Sequence, residues 1–308
     1  MKWKKGLLIY NQNAGKGKIE KTLGDCLPVL APNIEEFLLL QTKEQGDAQK
    51  LCQEYGEEMD VLFILGGDGT VHECINGLSG LEKRPSVGIL PAGTCNDFSR
   101  TLNIPQNIRR AAEVMVEGET VLIDVGKAEN DYFLNFWGIG LIAETSTNID
   151  PQEKNILGKI SYFLSAFRTI NESDPFRFKM VYDGKVIEDE AIMILVVNGN
   201  FIGTNTLPFP LIKPDDGLLD VIIVKNSNLG VFKEVMEMKR TLSESTDPES
   251  GVMYFQAKEL QIESDREMDA DMDGEIYLQT PAGLSVLRHH LAMLCGPAAI
   301  NKGQSTAF

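Results

Sequence analysis

The chain has 308 residues, 43% of them hydrophobic and 24% charged, and a formal net charge of −16. That length allows two cores of ordinary size, and the balance is that of a globular protein and not of a disordered or fibrous one. So acidic a chain is poorly suited to neutralising nucleic-acid phosphates or to adsorbing by charge alone onto an anionic membrane.

At the N-terminus, the run Gly6 to Tyr10 follows a cluster of lysines. It is too short for a signal peptide and has no small-residue cleavage site behind it, so it reads as a first β-strand. No stretch approaches the roughly 18 uninterrupted apolar residues of a membrane span, and the expected location is the cytoplasm. Up to about residue 128, short apolar runs alternate with amphipathic stretches, the pattern of βα units around a mostly parallel sheet. Runs at 6–10, 36–40, 60–65, 86–90 and 120–126 are expected strands, and Ile19–Leu30, Asp47–Met59, Val71–Leu78 and Ile108–Val116 expected helices. Pro28 is expected to bend or end the first helix. Beyond residue 128 the pattern changes to strands closed by tight turns. Phe176–Tyr182, the turn Asp183-Gly184 and the run into Ile192–Val197 read as hairpin strands, with more strands at 218–224, 252–255, 258–263 and 275–279 and helices at 156–170 and 229–240. An antiparallel, sandwich-like second domain fits this pattern.

Five cysteines (26, 52, 74, 95 and 295) are scattered without a C-x-x-C pair, and only His72, His289 and His290 could join them on a metal. Buried reduced thiols are the expectation.

The most informative segment is Asp60–Leu65 running into Gly66, Gly67, Asp68, Gly69 and Thr70 and then a helix. A buried strand, a glycine turn and a helix N-terminus offer backbone N–H groups and a dipole to an anion, and glycine lets a phosphate approach the backbone. The carboxylate of Asp68 would repel a bare phosphate, so it is expected to act through Mg²⁺, water or a sugar hydroxyl. The polar loop Asn11–Lys18 again follows a strand but lacks the Walker A spacing. In Pro91–Phe98, also after a strand, Thr94 could offer a hydroxyl to phosphate while Asn96 or Asp97 caps the next helix. Asp269, Asp271, Asp273 and Gly274 imitate the opening of an EF-hand, but Thr280 stands where a bidentate Glu is required, so calcium is rejected. Asp273-Gly274 is instead a candidate hairpin turn, with its acids left for a metal or a proton-transfer role. The segment Lys213–Leu218 reads equally as a turn or a metal loop.

In this order the segments resemble the diacylglycerol kinase catalytic family, specifically its soluble bacterial members, over nearly the whole chain from Asn11 to Glu275. The resemblance implies a nucleotide-binding α/β domain of NAD-kinase-like fold over 1–128, with 290–308 as its candidate completion, and a lipid-substrate β-sandwich over 129–289. At matching positions Asn11, Gln12, Asn13, Ala14, Gly15, Thr42, Gly67, Asp68, Gly69, Thr70, Val71, His72, Glu73 and Thr94 would bind ATP. The carbonyls of Lys213 and Leu218 with the carboxylate of Asp216 would hold a structural Mg²⁺. Glu275 stands where the family places its proton acceptor, with Asp273 and Asp68 as the other catalytic acids. The implied reaction moves the γ-phosphate of ATP to a lipid hydroxyl, diacylglycerol giving phosphatidic acid, in peripheral contact with a membrane surface. No nucleic-acid partner is expected, and a homodimer is left open. Gln12 departs from the proline common after the first asparagine, and His72 from the asparagine that often precedes the glutamate. An NAD kinase would share the glycine turn, and a nucleotide sensor that had lost catalysis would share the fold.

Overall fold

The computed structural model describes residues 1–12, 18–140, 174–207, 209, 211–225 and 250–296. The chain divides into two compact units, one made of residues 1–123 and 291–308, the other of 124–290. The expected helices at 156–170 and 229–240 lie outside the described residues.

In the first unit, strands β1 (Trp3–Asn11), β2 (Ile34–Thr42), β3 (Val61–Gly66) and β4 (Ser86–Pro91) form a parallel sheet in the order β2-β1-β3-β4. Every residue of β3 is buried, which requires cover on both faces of the sheet and explains its unbroken run of apolar side chains. Helices α1 (Ile19–Leu30), α2 (Asp47–Tyr55), α3 (Asp68–Ser79), the short α4 (Asp97–Thr101) and α5 (Ile108–Glu117) connect the strands. Here α1 packs on α5, and α2 packs on α3. Two expectations are corrected. Helix α1 runs past Pro28 to Leu30 before tightening into a 3₁₀ turn, and α3 begins at Asp68, so the aspartate belongs to the first helical turn and not to the glycine turn before it.

Strand β5 (Glu119–Ala128) runs through the boundary between the units, and β18 (Ala282–Cys295) returns through it, with Met293 paired in parallel to Val87 of β4. Leu291 and Met293 are fully buried there, and the amide of Gly296 donates to the carbonyl of Leu102 at 2.9 Å.

The second unit is antiparallel. Strands β7 (Phe136–Gly140), β10 (Met193–Val197), β13 (Leu219–Val224), β14 (Val252–Ala257), β16 (Asp269–Met272) and β17 (Glu275–Gln279) form one sheet, in the order β14-β13-β10-β7-β16-β17. Strands β8 (Phe176–Tyr182), β9 (Lys185–Ala191) and β15 (Glu259–Ser264) pair in the order β15-β8-β9, and β15 also pairs with the first part of β18. The short β6 (Asp131–Phe133) pairs with β5, and the two-residue β11 (Phe201–Ile202) pairs with β12 (Asn205–Thr206). Side chains alternate regularly along β7, β10, β13 and β14. Trp137, Ile139, Ile194, Val196, Val221, Ile223, Met253 and Phe255 enter one core with Phe178, Met180, Leu260 and Ile262 of the other strands. Their neighbours Phe136, Leu195, Val197, Ile222 and Tyr254 point to the opposite face, where Ile202, Phe209 and Ile212 cover them. The Asp183-Gly184 turn has positive φ at both residues, 43° and 78°, as a two-residue hairpin loop requires. Among the described residues no helix is long and apolar enough to cross a membrane.

Candidate active site

Because β1 to β4 are parallel and in register, their C-terminal ends fall on one edge of the sheet: Asn11 faces Thr42, and Gly66 faces Pro91. In open α/β sheets that edge is where ligands bind. Two of the loops leaving it meet backbone to backbone. A Cβ on Gly93 would lie 2.4 Å from the Cα of Gly67, and one on Gly67 would lie 3.1 Å from the Cα of Gly93, so neither position admits a side chain without separating the loops. A Cβ on Gly66 would likewise strike the Thr70 side chain at 2.6 Å.

Asp68 fastens this arrangement. Its Oδ2 accepts from the amide of Asn96 and its Oδ1 from the amide of Asp97, both at 2.8 Å. Asn96 sits in the left-handed region at φ 54°, and its side chain holds Gly93 from both sides, accepting from the amide and donating to the carbonyl. The expected side-chain cap on α4 is therefore absent: Asn96 at that position bonds backwards to Gly93. No side chain caps α3 either, and Gly67 at its N-cap leaves the approach to its first turn open on the side of exposed Gly69 and Thr94. This is a glycine cradle whose backbone suits a phosphate and whose Cβ positions are closed to anything larger.

The other residues assigned to nucleotide binding take varied places. Asn11 ends β1, and Gln12 follows it with its Oε1 accepting from Gln41 Nε2 at 3.4 Å. Asn13, Ala14 and Gly15 lie outside the described residues. Thr42 is buried and its hydroxyl donates to the Tyr10 carbonyl at 3.5 Å. Val71 and His72 are buried within α3, the latter against the Asn76 side chain at 3.2 Å, so their contact with a ligand would be through backbone. Glu73 accepts from the amide of Ala48 at 3.2 Å, which ties α3 to the start of α2.

In the second unit, Asp273 and Gly274 have φ of 53° and 96° and form the two-residue turn between β16 and β17. The three aspartates that imitate a calcium loop face different partners: Asp269 accepts from Gln279, Asp271 from the amide of Gly274, and Asp273 from the amides of Leu134, Asn135 and Phe136 at 2.8–3.0 Å. Among the described residues no three His, Cys, Asp or Glu side chains converge as a metal site. Asp273 and Glu275 do not share one strand face, because the turn ends at Gly274 and only Glu275, half-buried, enters β17.

The loop Lys213–Leu218 is organised by Asp124, a residue sequence reasoning passed over. It is fully buried, its Oδ2 accepting from Gly217 at 2.6 Å and its Oδ1 from His289 at 2.7 Å, while its amide donates to Pro214. The signal was an acid inside the apolar run Val121–Val125. Burial, and then the charge of Asp124, holds the Asp215 carboxyl above its ordinary range, and burial does the same to Asp216. Asp216 accepts from the amide of Leu218 and from Gln256. Desolvated, mutually repelling carboxylates beside backbone carbonyls are a donor set that fits a hard divalent cation, held by one carboxylate and carbonyl oxygens and not by a cluster of acids.

A parallel sheet with a glycine cradle at its C-terminal edge, followed by an antiparallel sandwich, is a two-domain, NAD-kinase-like architecture. The model of the diacylglycerol kinase catalytic domain matches residues 5–128, and that of the YegS C-terminal NAD kinase beta sandwich-like domain matches residues 138–295. A Staphylococcus aureus protein (strain JH9) described as "Putative lipid kinase" is 34% identical over 298 residues, 95% of this chain and 97% of the relative. Two Bacillus anthracis structures are each 44% identical to this chain. One, described as a diacylglycerol kinase, matches with TM-score 0.86 over 97% of this chain and 99% of that one. The other, titled a "putative diacylglycerol kinase", matches with TM-score 0.88 over 97% and 98%. The chain belongs to this diacylglycerol-kinase-like family of lipid kinases.

Proposed function

We propose that the protein transfers the γ-phosphate of ATP to the hydroxyl of diacylglycerol, giving phosphatidic acid and ADP. The observation that carries this reading is the backbone contact between Gly67 and Gly93 at the N-terminus of α3, an arrangement that suits a phosphate chain. In phosphoryl transfer the protein chiefly positions groups and stabilises charge. Amides of the first turn of α3, with Thr94 of the 91–96 loop, would bind the phosphates, and Asp68 fixes one loop against the other. Glu275 would accept the proton as the lipid oxygen bonds to phosphorus and the bond from the γ-phosphorus to the ADP oxygen breaks. Asp216, with the carbonyls of Lys213 and Leu218, would hold Mg²⁺, which when bound supplies a fixed positive charge to the loop. The reading includes work from the cytoplasm in peripheral contact with a membrane surface, and no nucleic-acid partner. The test is ATP turnover with diacylglycerol, phosphatidylglycerol, a sphingoid base and NAD offered in parallel. Diacylglycerol-dependent phosphatidic acid is the expected product. Turnover with NAD alone, or with none of the four, overturns the proposal.

A further inference from the structure

At one end of the sandwich core three buried polar atoms lack a partner among the described residues: Asn135 Oδ1, Asn198 Oδ1 and Trp137 Nε1. Their residues are 5%, 0% and 0% exposed. The strand register makes their residues neighbours. Val197 pairs with Phe136 and Val196 with Trp137 across the antiparallel β7–β10 ladder, and the ladder continues with the amide of Asn198 donating to the carbonyl of Asn135 at 2.8 Å. Asn135 and Asn198 are thus directly opposed. By strand parity they share the inner face with Trp137 and Val196, both members of the core between the sheets.

The orientation of the Asn198 amide is set by its nitrogen, which donates to the carbonyls of Asp124 at 3.1 Å and Leu134 at 2.9 Å. Its oxygen must point away from both. Asn135 is confined as well, since a Cβ on Gly199 would lie 2.5 Å from its Oδ1. Each such atom left unpaired in the interior is unfavourable, so one group that satisfies several of them is favoured.

Counting donors and acceptors selects that group. The three residues offer two acceptor oxygens and one indole donor. A metal ion would suit the oxygens but face the indole hydrogen with its charge, and an ammonium has no lone pair for that hydrogen. An alcohol has one hydrogen and leaves an oxygen unserved. Water has two hydrogens and a lone pair to spare, and buried waters typically make about three hydrogen bonds.

We propose that Asn135, Asn198 and Trp137 form a binding site for a single structural water, donating to both amide oxygens and accepting from the indole. The water closes the end of the β7–β10 ladder beside the 134–136 amides that hold Asp273. This is independent of the reaction the protein catalyses.

The chain has two tryptophans, so a sample labelled with ¹⁵N only in tryptophan gives two indole signals, and Trp3→Phe identifies the one from Trp137. The expected result is a direct NOE from a long-lived water to the Trp137 indole proton, absent in Asn198→Leu. Because that variant also gives up two carbonyl bonds and can fail to fold, Trp137→Phe is crystallised alongside. Its high-resolution map is expected to retain a water on both amide oxygens. An indole proton of the folded wild type that shows no water contact, or a map with a protein group or no density between the two amides, overturns the proposal.

Discussion

Replacing Asp273 by asparagine separates two roles that a sequence cannot distinguish, a catalytic acid and a backbone clamp. Oδ1 of Asp273 accepts from Asn135 and Phe136, and Oδ2 accepts from Leu134. Asparagine tolerates the positive φ at this turn and can keep its oxygen on the first two amides. Its NH₂ group then meets the N–H of Leu134, so one charge-assisted bond is lost and a buried donor is stranded. With the residue 9% exposed, the loss is about 1.5–3 kcal/mol. In a folding unit of this size each kcal/mol moves the midpoint by roughly 2–4 °C, so Tm should fall by about 3–12 °C. Asp273→Ala strands all three amides and should fall further. Thermal unfolding followed by near-UV circular dichroism, with kcat measured on the same samples well below Tm, reads both quantities. The clamp predicts a lowered Tm with kcat within about tenfold of wild type. An unchanged Tm with kcat down a hundredfold would refute it and return Asp273 to the chemistry.

Glu275→Gln should lower kcat by about a hundredfold or more with little change in the affinity for ATP, because general-base catalysis contributes roughly 10²–10⁴-fold. Loss of ATP affinity at normal kcat would instead make Glu275 a ligand. Asp216→Ala should abolish the rise in Tm that Mg²⁺ gives the wild type, since a cation bound only to the folded state stabilises by mass action. A Tm that stays Mg-responsive in the variant would show the loop to be a turn alone. Asp60 accepts from the amides of Lys5 and Lys4, and these bonds, that of Lys5 first, hold its carboxyl below the ordinary value of 3.8. A depressed folded value means the stabilisation is present above that ordinary value and is lost as pH falls through the folded one. The Tm gap between wild type and Asp60→Ala should therefore be full at neutral pH and shrink under acid, and a gap that widened there would contradict the assignment.

Much of the architecture was legible because its causes are local. Unbroken apolar runs such as Val61–Leu65 belong to buried parallel strands, and the change after residue 128 to alternating strands and Asp-Gly turns marks an antiparallel sheet. The glycine turn was visible for the same reason, since glycines between a strand and a helix mark a close approach to the backbone. What stayed hidden depends on partners far apart in the chain. Asp68 reads as a ligand in a turn until Asn96 and Asp97 are seen bonded to it, and Asp273 reads as an acid beside Glu275 until residues 134–136 fold against it. Asp124 acts on Gly217 and His289, 93 and 165 positions away, and no window of sequence contains such a relation.

The passage of β18 from the second unit back into the first bears on how the chain comes into being. The strand that lies against β4 leaves the ribosome some two hundred residues after β4 itself. Until Leu291 and Met293 arrive, the nascent sheet carries an open apolar flank at β4, a template for pairing with the wrong strand. The sandwich is synthesised wholly within that interval. A ribosome paused after residue 128 therefore holds an unfinished sheet, and such a fragment made alone should be prone to aggregate until a segment containing 282–296 is supplied in trans.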